Sequence, residues 1–264
     1  FFFPTAFQGC DASVLIDSTA KNTAEKDSAP DVTLRGFQQI DTVKAAVEKA
    51  CPGVVSCADI LALVARDAIS SIKGPFWEVP LGRRDGTVSL ASEALANIPA
   101  PFFNINQLAS SFASKGLTVK DLVVLSGAHT IGRSHCSSFS NRIYNFSQKN
   151  PIDPTLNPQF AATLRQECPA TGNLQNIIIN MDEITPETFD INYYTLVKEN
   201  RGLFQSDAAL LDNPTTDSYV QQHSASAFQP AFFNDFAESM VKMGNIGVLT
   251  GSQGQIRKIC SAVN

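Results

Sequence analysis

Apolar residues recur at helical spacing through most of this chain and almost nowhere alternate. Leu34, Phe37, Ile40, Val43 and Val47 form one stripe along a helix. Residues 57–72 are more completely apolar, with Ile60, Leu61, Leu63, Val64, Ala68 and Ile69, which suits a helix in the middle of an α domain. A shorter helix carries Leu108 and Phe112 and stops at Gly116. Thr118-Val119-Lys120-Asp121 reads as a capping box opening another helix toward Ser126. Further helices are expected near 159–167, 192–200 and 230–243. Pro151, Pro154 and Pro158 mark 145–158 as loop, Ile98-Pro99-Ala100-Pro101 is a rigid extended loop, and 169–188 and the tail from Gly244 are loop. Strand signals are at most short pieces near 176–180. The expected class is all-α with minor short β pieces.

At 264 residues, the chain suits one large domain or two small ones, and with 44% hydrophobic residues it can bury a sizeable core. Twenty basic against 25 acidic residues give a net charge of −5, and no basic patch points to nucleic acid. No apolar run is long enough for a membrane helix; the most apolar stretch is broken by Asp59. Six cysteines, Cys10, Cys51, Cys57, Cys136, Cys168 and Cys260, show no CxxC spacing, and sequence alone leaves free thiols and several pairings open. Asn145-Phe146-Ser147 is a glycosylation sequon, which points weakly to secretion. The opening Phe1-Phe2-Phe3-Pro4-Thr5-Ala6-Phe7 lacks the charged segment, apolar length and cleavage site of a signal peptide, and reads as a fragment or a misbuilt start.

Three histidines are candidates for chemistry. His129 sits in Ser126-Gly127-Ala128-His129-Thr130-Ile131-Gly132, where two glycines and an alanine clear bulk from one imidazole so that a flat ligand could approach. Each helical Gly costs about 1 kcal/mol against Ala. A satisfied core histidine and a metal or haem ligand both fit this pattern. His135 would point to another helical face, and His223, in a polar stretch, reads as exposed. Asp182, Thr185, Thr188 and Asp190 could wrap a hard cation or form an ordinary capped loop. Asp11, Ser13 and Glu25 after Gly9 allow the same two readings. No Walker loop, GxSxG elbow, EF-hand or Rossmann glycine pattern is present.

Gly9-Cys10-Asp11-Ala12-Ser13-Val14-Leu15, Val55-Ser56-Cys57-Ala58-Asp59-Ile60-Leu61, Leu81-Gly82-Arg83-Arg84-Asp85-Gly86 and the Ser126–Gly132 segment with Cys136 follow one another in order. Phe189-Asp190 with Tyr193-Tyr194, Gly202-Leu203-Phe204-Gln205-Ser206-Asp207 and Met243-Gly244-Asn245 complete the series. This set resembles the secretory (class III) plant haem peroxidases from about residue 8 to the end. The resemblance implies two helical domains sandwiching haem b, within a single haem peroxidase domain over 1–264. It implies peroxide-dependent oxidation of small phenolic donors by a secreted monomer of cell wall or vacuole, with no nucleic acid or membrane partner.

Position by position, His129 matches the axial haem ligand and Asp207 the carboxylate bonded to it. Pro99 matches the proline that meets aromatic donors. Thr130, Asp182, Thr185, Thr188 and Asp190 match a proximal Ca²⁺ site. Phe7, Gly9, Asp11, Ser13 and Glu25 match a distal Ca²⁺ site. Cys57–Cys260 and Cys136–Cys168 match two disulfides, which leaves Cys10 and Cys51 without their usual partners.

The departures cluster at the start. Phe3 stands where the catalytic distal histidine belongs, Pro4 where a calcium aspartate belongs, and Thr5 where a cysteine belongs. Asp31 replaces the asparagine that supports that histidine. The family's first helix, the distal arginine and the signal peptide have no counterpart in the sequence. Residues 1–8 could be encoded by a pyrimidine tract ending in CAG, so a translated intron is expected there. The chain is expected to be an impaired peroxidase, with a haem-binding protein lacking turnover as the alternative.

Overall fold

The structure, a computed structural model, describes residues 9–264. Phe3, Pro4, Thr5 and Phe7 lie outside the described residues. The helices are α1 Phe37–Ala50, α2 Cys57–Ser71, α3 Ala91–Asn97, α4 Ile105–Ala113, α5 Val119–Ser126, α6 Ser140–Ile143, α7 Pro158–Glu167, α8 Asn192–Lys198, α9 Gln205–Ala208, α10 Pro214–His223 and α11 Gln229–Met243. Among the described residues the only sheet is an antiparallel ribbon, β1 Arg133–His135 against β2 Ile178–Asn180, with Ser134 opposite Ile179. The expected all-α class holds, and the strand expected near 176–180 is β2.

Local chemistry sets the helix starts. Thr118 accepts from the Asp121 amide at 3.1 Å, and the Asp121 carboxylate accepts from the Thr118 amide at 2.9 Å, so the expected capping box opens α5. Asn104 and Gln107 make the same reciprocal pair at α4. At α7 and α10 an asparagine cap precedes a proline, whose missing N–H would have had no intrahelical partner. Sequence periodicity missed α3, α6, α9 and α10. The first three are too short for a 3.6-residue period to declare itself, and α10 is polar along much of its length.

The chain divides into two compact units. In the first, the core joins Val14, Leu15, Ile40, Ala58, Ile60 and Leu61 around the Cys57–Cys260 disulfide. This unit draws on three separate stretches of sequence, including Ala237–Asn264. The second unit comprises Ile72–Gly74 and the continuous stretch Pro99–Phe236. One of its cores gathers Phe139, Ile143, Leu156, Leu164, Met181 and Leu203 around the Cys136–Cys168 disulfide.

Candidate functional site

The second unit contains His129. Helix α5 tightens after Ser126 into a 3₁₀ turn, Gly127–Thr130, that carries the histidine. Its imidazole is part-exposed (36%), whereas the Asp207 carboxylate facing it is 1% exposed. His129 Nδ1 lies 2.7 Å from Asp207 Oδ1. With a carboxylate as acceptor, Nδ1 carries the proton, and Nε2 is left for a ligand.

Asp207 has further donors. Tyr193 Oη donates to the same Oδ1 at 2.9 Å, and the Phe204 amide donates to Oδ2 at 2.8 Å. Burial pushes this carboxyl up, but the charge and hydrogen bond of His129 and the bonds from Phe204 and Tyr193 together hold it below its ordinary value. The group is therefore a fixed anion behind the imidazole. The rings of Phe204 and Tyr193 stand edge-on to that of His129, with centroids 5.4 and 5.8 Å away.

The segment before α9 is held by a buried arginine. Arg142 donates through Nη1 to the carbonyls of Gly202, Leu203 and Phe204 at 2.6, 3.1 and 2.9 Å, and through Nε to Asp153 at 2.7 Å. Gly202 lets the chain pass close to the site: a β-carbon there would meet Asp207 Cβ at 2.7 Å. The extended loop with half-buried Pro99 is tied to the same place, because the Ser206 amide donates to the Pro101 carbonyl at 2.9 Å.

The glycines around His129 differ from the sequence expectation. A β-carbon on Gly127 would meet Tyr194 Oη at 2.5 Å and the Phe232 ring at 2.7 Å, so its missing side chain admits core packing rather than a ligand. Gly132 sits at a φ of 92°, which only glycine adopts without strain, and it turns the chain into β1. His135 therefore lies on a strand and not on a continued helix. The reading of His223 as exposed is overturned. It is 4% exposed, bonded through Nδ1 to the Tyr219 carbonyl and stacked on the Tyr219 ring.

The second cluster is connected. Thr130 donates to Asp190 at 3.1 Å, and the amide of Asn192 donates to the same oxygen at 2.8 Å. The Asn192 side chain reaches both Asp182 oxygens at 2.9 Å, and the Thr185 hydroxyl donates to Asp182 at 3.2 Å. Thr188 closes the loop with its amide on the Thr185 carbonyl. Asn192, the bridge between the two carboxylates, was not singled out in the sequence; its position two residues after Asp190 was the available signal.

In the first unit, Asp11 accepts from the Ser13 amide at 3.0 Å. Glu25 is buried, with Oε2 lacking a partner among the described residues. Burial pushes the Glu25 carboxyl up to about 8 against a Ser13 hydrogen bond, and the charges of Asp11, Asp31 and Glu93 add to the rise. Buried Asp31 is pushed to about 6 by desolvation, opposed by Ser28. Gly9 is buried at the start of this segment. Among the described residues no three acidic, histidine or cysteine side chains converge as a metal-holding group. Each candidate calcium set thus relies on hydroxyls and carbonyls beside its carboxylates.

Comparison with known proteins decides the family. The family model described as Peroxidase matches residues 1–226. "Peroxidase 1" of Oryza sativa subsp. japonica is 55% identical over 260 residues, covering 97% of this chain and 79% of the relative. "Peroxidase 56" and "Peroxidase 27" of Arabidopsis thaliana are each 54% identical over the whole chain, covering 79% and 80% of those proteins.

The chain belongs to the class III plant peroxidase family.

As a plant peroxidase it is an oxidoreductase of all-α fold. Both disulfides implied by the resemblance form, Cys57–Cys260 spanning 203 residues and Cys136–Cys168 spanning 32. Cys10 and Cys51 are free among the described residues. Asn145 is exposed on a turn with a φ of 55°. No helix among the described residues is long and apolar enough to cross a membrane. Arg142, Tyr193 and Phe204 fix the surroundings of His129 and Asp207, yet the sequence assigns none of them a role, because their partners lie far off along the chain.

Proposed function

We propose that this peroxidase holds haem b through Nε2 of His129 and oxidises small phenolic donors with hydrogen peroxide. The observation that carries this reading is the 2.7 Å contact between His129 Nδ1 and buried Asp207. The donor set fits the group: a part-exposed imidazole, its Nδ1 proton engaged by a fixed anion, presents one lone pair outward. Bound haem supplies the iron that takes oxidising equivalents from peroxide and passes them to donors one electron at a time. The residues around it orient and polarise. Asp207 fixes the tautomer of His129 and raises its basicity, which favours oxidised iron. Tyr193 and the Phe204 amide keep Asp207 from rotating. Pro99, on the loop anchored by Ser206, is the position assigned to aromatic donors.

Peroxide also needs a group that takes a proton from one oxygen and returns it to the other. Phe3 stands at the position assigned to that role and carries no acid–base group. We read the chain as impaired at this step, by about 10²–10⁴-fold for the missing acid–base residue. A haem-binding protein without turnover is the second reading, and the same Phe3 favours it.

Calcium is proposed at two places. Thr130, Asp182, Thr185, Asp190 and the carbonyl of Thr188 form one set. Gly9, Asp11, Ser13 and Glu25 form the other with Phe7, and the unpartnered, buried Oε2 of Glu25 is the feature a cation would compensate. Two disulfides and an exposed sequon at Asn145 support an extracellular or vacuolar setting.

The test is haem titration of the full chain. The Soret band shifts on binding to the wild type, to His135→Ala and to His223→Ala, and not in His129→Ala. A Soret shift in His129→Ala identical to that of the wild type overturns the assignment. Peroxide-dependent guaiacol oxidation then separates an impaired enzyme from one with near-normal turnover.

A further inference from the structure

The chain has four tyrosines. Three of them lie in ring contact, beginning at His129. The His129 and Tyr193 centroids are 5.8 Å apart, Tyr193 and Tyr194 5.3 Å, and Tyr194 and Tyr219 5.5 Å, all edge to face. The His223 imidazole lies flat on Tyr219, 3.6 Å away with 10° between the planes. The fourth tyrosine, Tyr144, packs elsewhere, beneath Arg165.

Two of the three phenols also face a carboxylate. Tyr193 donates to Asp207 at 2.9 Å, and Tyr219 donates to Asp235 at 2.9 Å. Tyr194 donates only to the Val123 and Val124 carbonyls, which cannot take its proton. Oxidising a phenol by one electron makes it a strong acid, so a tyrosine beside a carboxylate gives up its electron more readily than one bonded to a carbonyl. Tyr193 ends this series at the pocket. At the other end Tyr219 is itself buried (9% exposed), and its carboxylate partner Asp235 (20%) pairs with exposed Lys120 at 2.6 Å. Burial holds the His223 imidazole below its ordinary value, so an uncharged ring lies on Tyr219 and does not oppose positive charge there.

We propose that Tyr193, Tyr194 and Tyr219 relay an oxidising equivalent from the His129 pocket to Tyr219, where donors unable to enter the pocket are oxidised. The inference rests on the haem reading above. Tyr219 loses one electron, which passes through Tyr194 and Tyr193 to the peroxide-oxidised haem and reduces it by one electron. The phenolic proton of Tyr219 moves to Asp235. A phenolic donor at the surface then gives the Tyr219 radical one electron, the proton returns from Asp235, and the donor leaves as a radical after losing its own proton to water. The fitting donor class is bulky one-electron donors, such as phenolic polymers.

The experiment loads the full chain with zinc protoporphyrin IX, oxidises the porphyrin with a flash and a soluble one-electron acceptor, and includes a nitroso spin trap. This supplies the oxidising equivalent without peroxide, so the residue at position 3 has no bearing on the result. Peptide mass spectrometry then maps the trap. The expected adduct is on Tyr219 and absent from Tyr144. Tyr219→Phe keeps the ring and moves the adduct back to Tyr193. Asp235→Asn lowers the yield on Tyr219 severalfold. Porphyrin binding followed by adducts only on Tyr144, or by none on the three tyrosines, overturns the relay alone. Failure of the porphyrin spectrum to depend on His129 overturns the haem reading and the relay with it.

Discussion

Asp207 Oδ1 accepts two hydrogen bonds at once, from His129 Nδ1 at 2.7 Å and from Tyr193 Oη at 2.9 Å. The partner of the histidine is thus fixed from two directions, and the pocket inherits its geometry from α8 and α9 together. Asp207→Asn keeps the shape and removes the charge. It is expected to lower haem affinity about 10–100-fold, as outer partners of metal-binding histidines do, and to raise the reduction potential of the bound iron. Haem titration and a potentiometric titration check both.

Arg142 fixes the same segment from behind. Arg142→Met leaves Asp153 buried without its cation and three carbonyls unanswered, and is expected to cost about 3–5 kcal/mol. Pairing it with Asp153→Leu recovers only part of that loss, because Gly202, Leu203 and Phe204 still lack their donor. Urea unfolding of the single and double variants measures the difference. Haem affinity is expected to fall in both.

Gly127→Ala places a methyl against Tyr194 Oη and Phe232. Overpacking of this kind costs about 1–3 kcal/mol. Tyr194 must shift, and its bond to the Val123 carbonyl lengthens. Denaturant midpoints measure the loss; a variant as stable as the wild type would show that this core yields freely.

Thiol chemistry separates the four paired cysteines from the other two. A denatured, unreduced chain is expected to titrate at Cys10 and Cys51 only. In the folded protein Cys51, exposed after α1, reacts first. Burial raises the Cys10 thiol, partly offset by Arg83, and slows it. Removing Cys57–Cys260 is expected to cost roughly 5 kcal/mol and removing Cys136–Cys168 roughly 4 kcal/mol in the chain-entropy account, since the first closes the longer loop.

Glu25 and Asp31 give the calcium-free protein a pH dependence. Their folded carboxyls ionise near 8 and 6, above ordinary carboxylates. Between about pH 5 and 8 the native state holds protons the unfolded chain has already lost, so stability falls as pH rises through this window. Thermal unfolding in chelator is expected to show a falling midpoint, flattened above pH 6 by Glu25→Gln. Added Ca²⁺ is expected to restore the loss, because it favours the ionised carboxylate.

Helix α5 was legible because its signals are local: Thr118 and Asp121 lie three residues apart, and each satisfies the other's backbone. The contact that makes the site is not local. His129 and Asp207 are 78 residues apart, and no spacing rule links them; only the family motifs named both. His223 was misread for a related reason. Its neighbours Gln221, Gln222 and Ser224 are polar, yet Tyr194, Tyr219 and Phe228 close over its ring. Gly127 looked like clearance for a ligand because sequence shows that a side chain is missing and not which neighbour uses the space.

The two units differ in how their sequence is apportioned, and this bears on synthesis. Most of the second unit is one unbroken stretch, Pro99–Phe236, so its core, its short-range disulfide and the His129 pocket can form while the ribosome is still working. The first unit cannot close until Ala237–Asn264 has emerged, because Arg257 must reach the Ala12 carbonyl and Cys260 must find Cys57. For that interval Cys57 is an unpaired thiol in a nascent chain that already contains Cys10 and Cys51. In an oxidising compartment Cys57 would meet Cys10 and Cys51 before Cys260 exists, and only thiol–disulfide exchange would undo a bond formed in that interval.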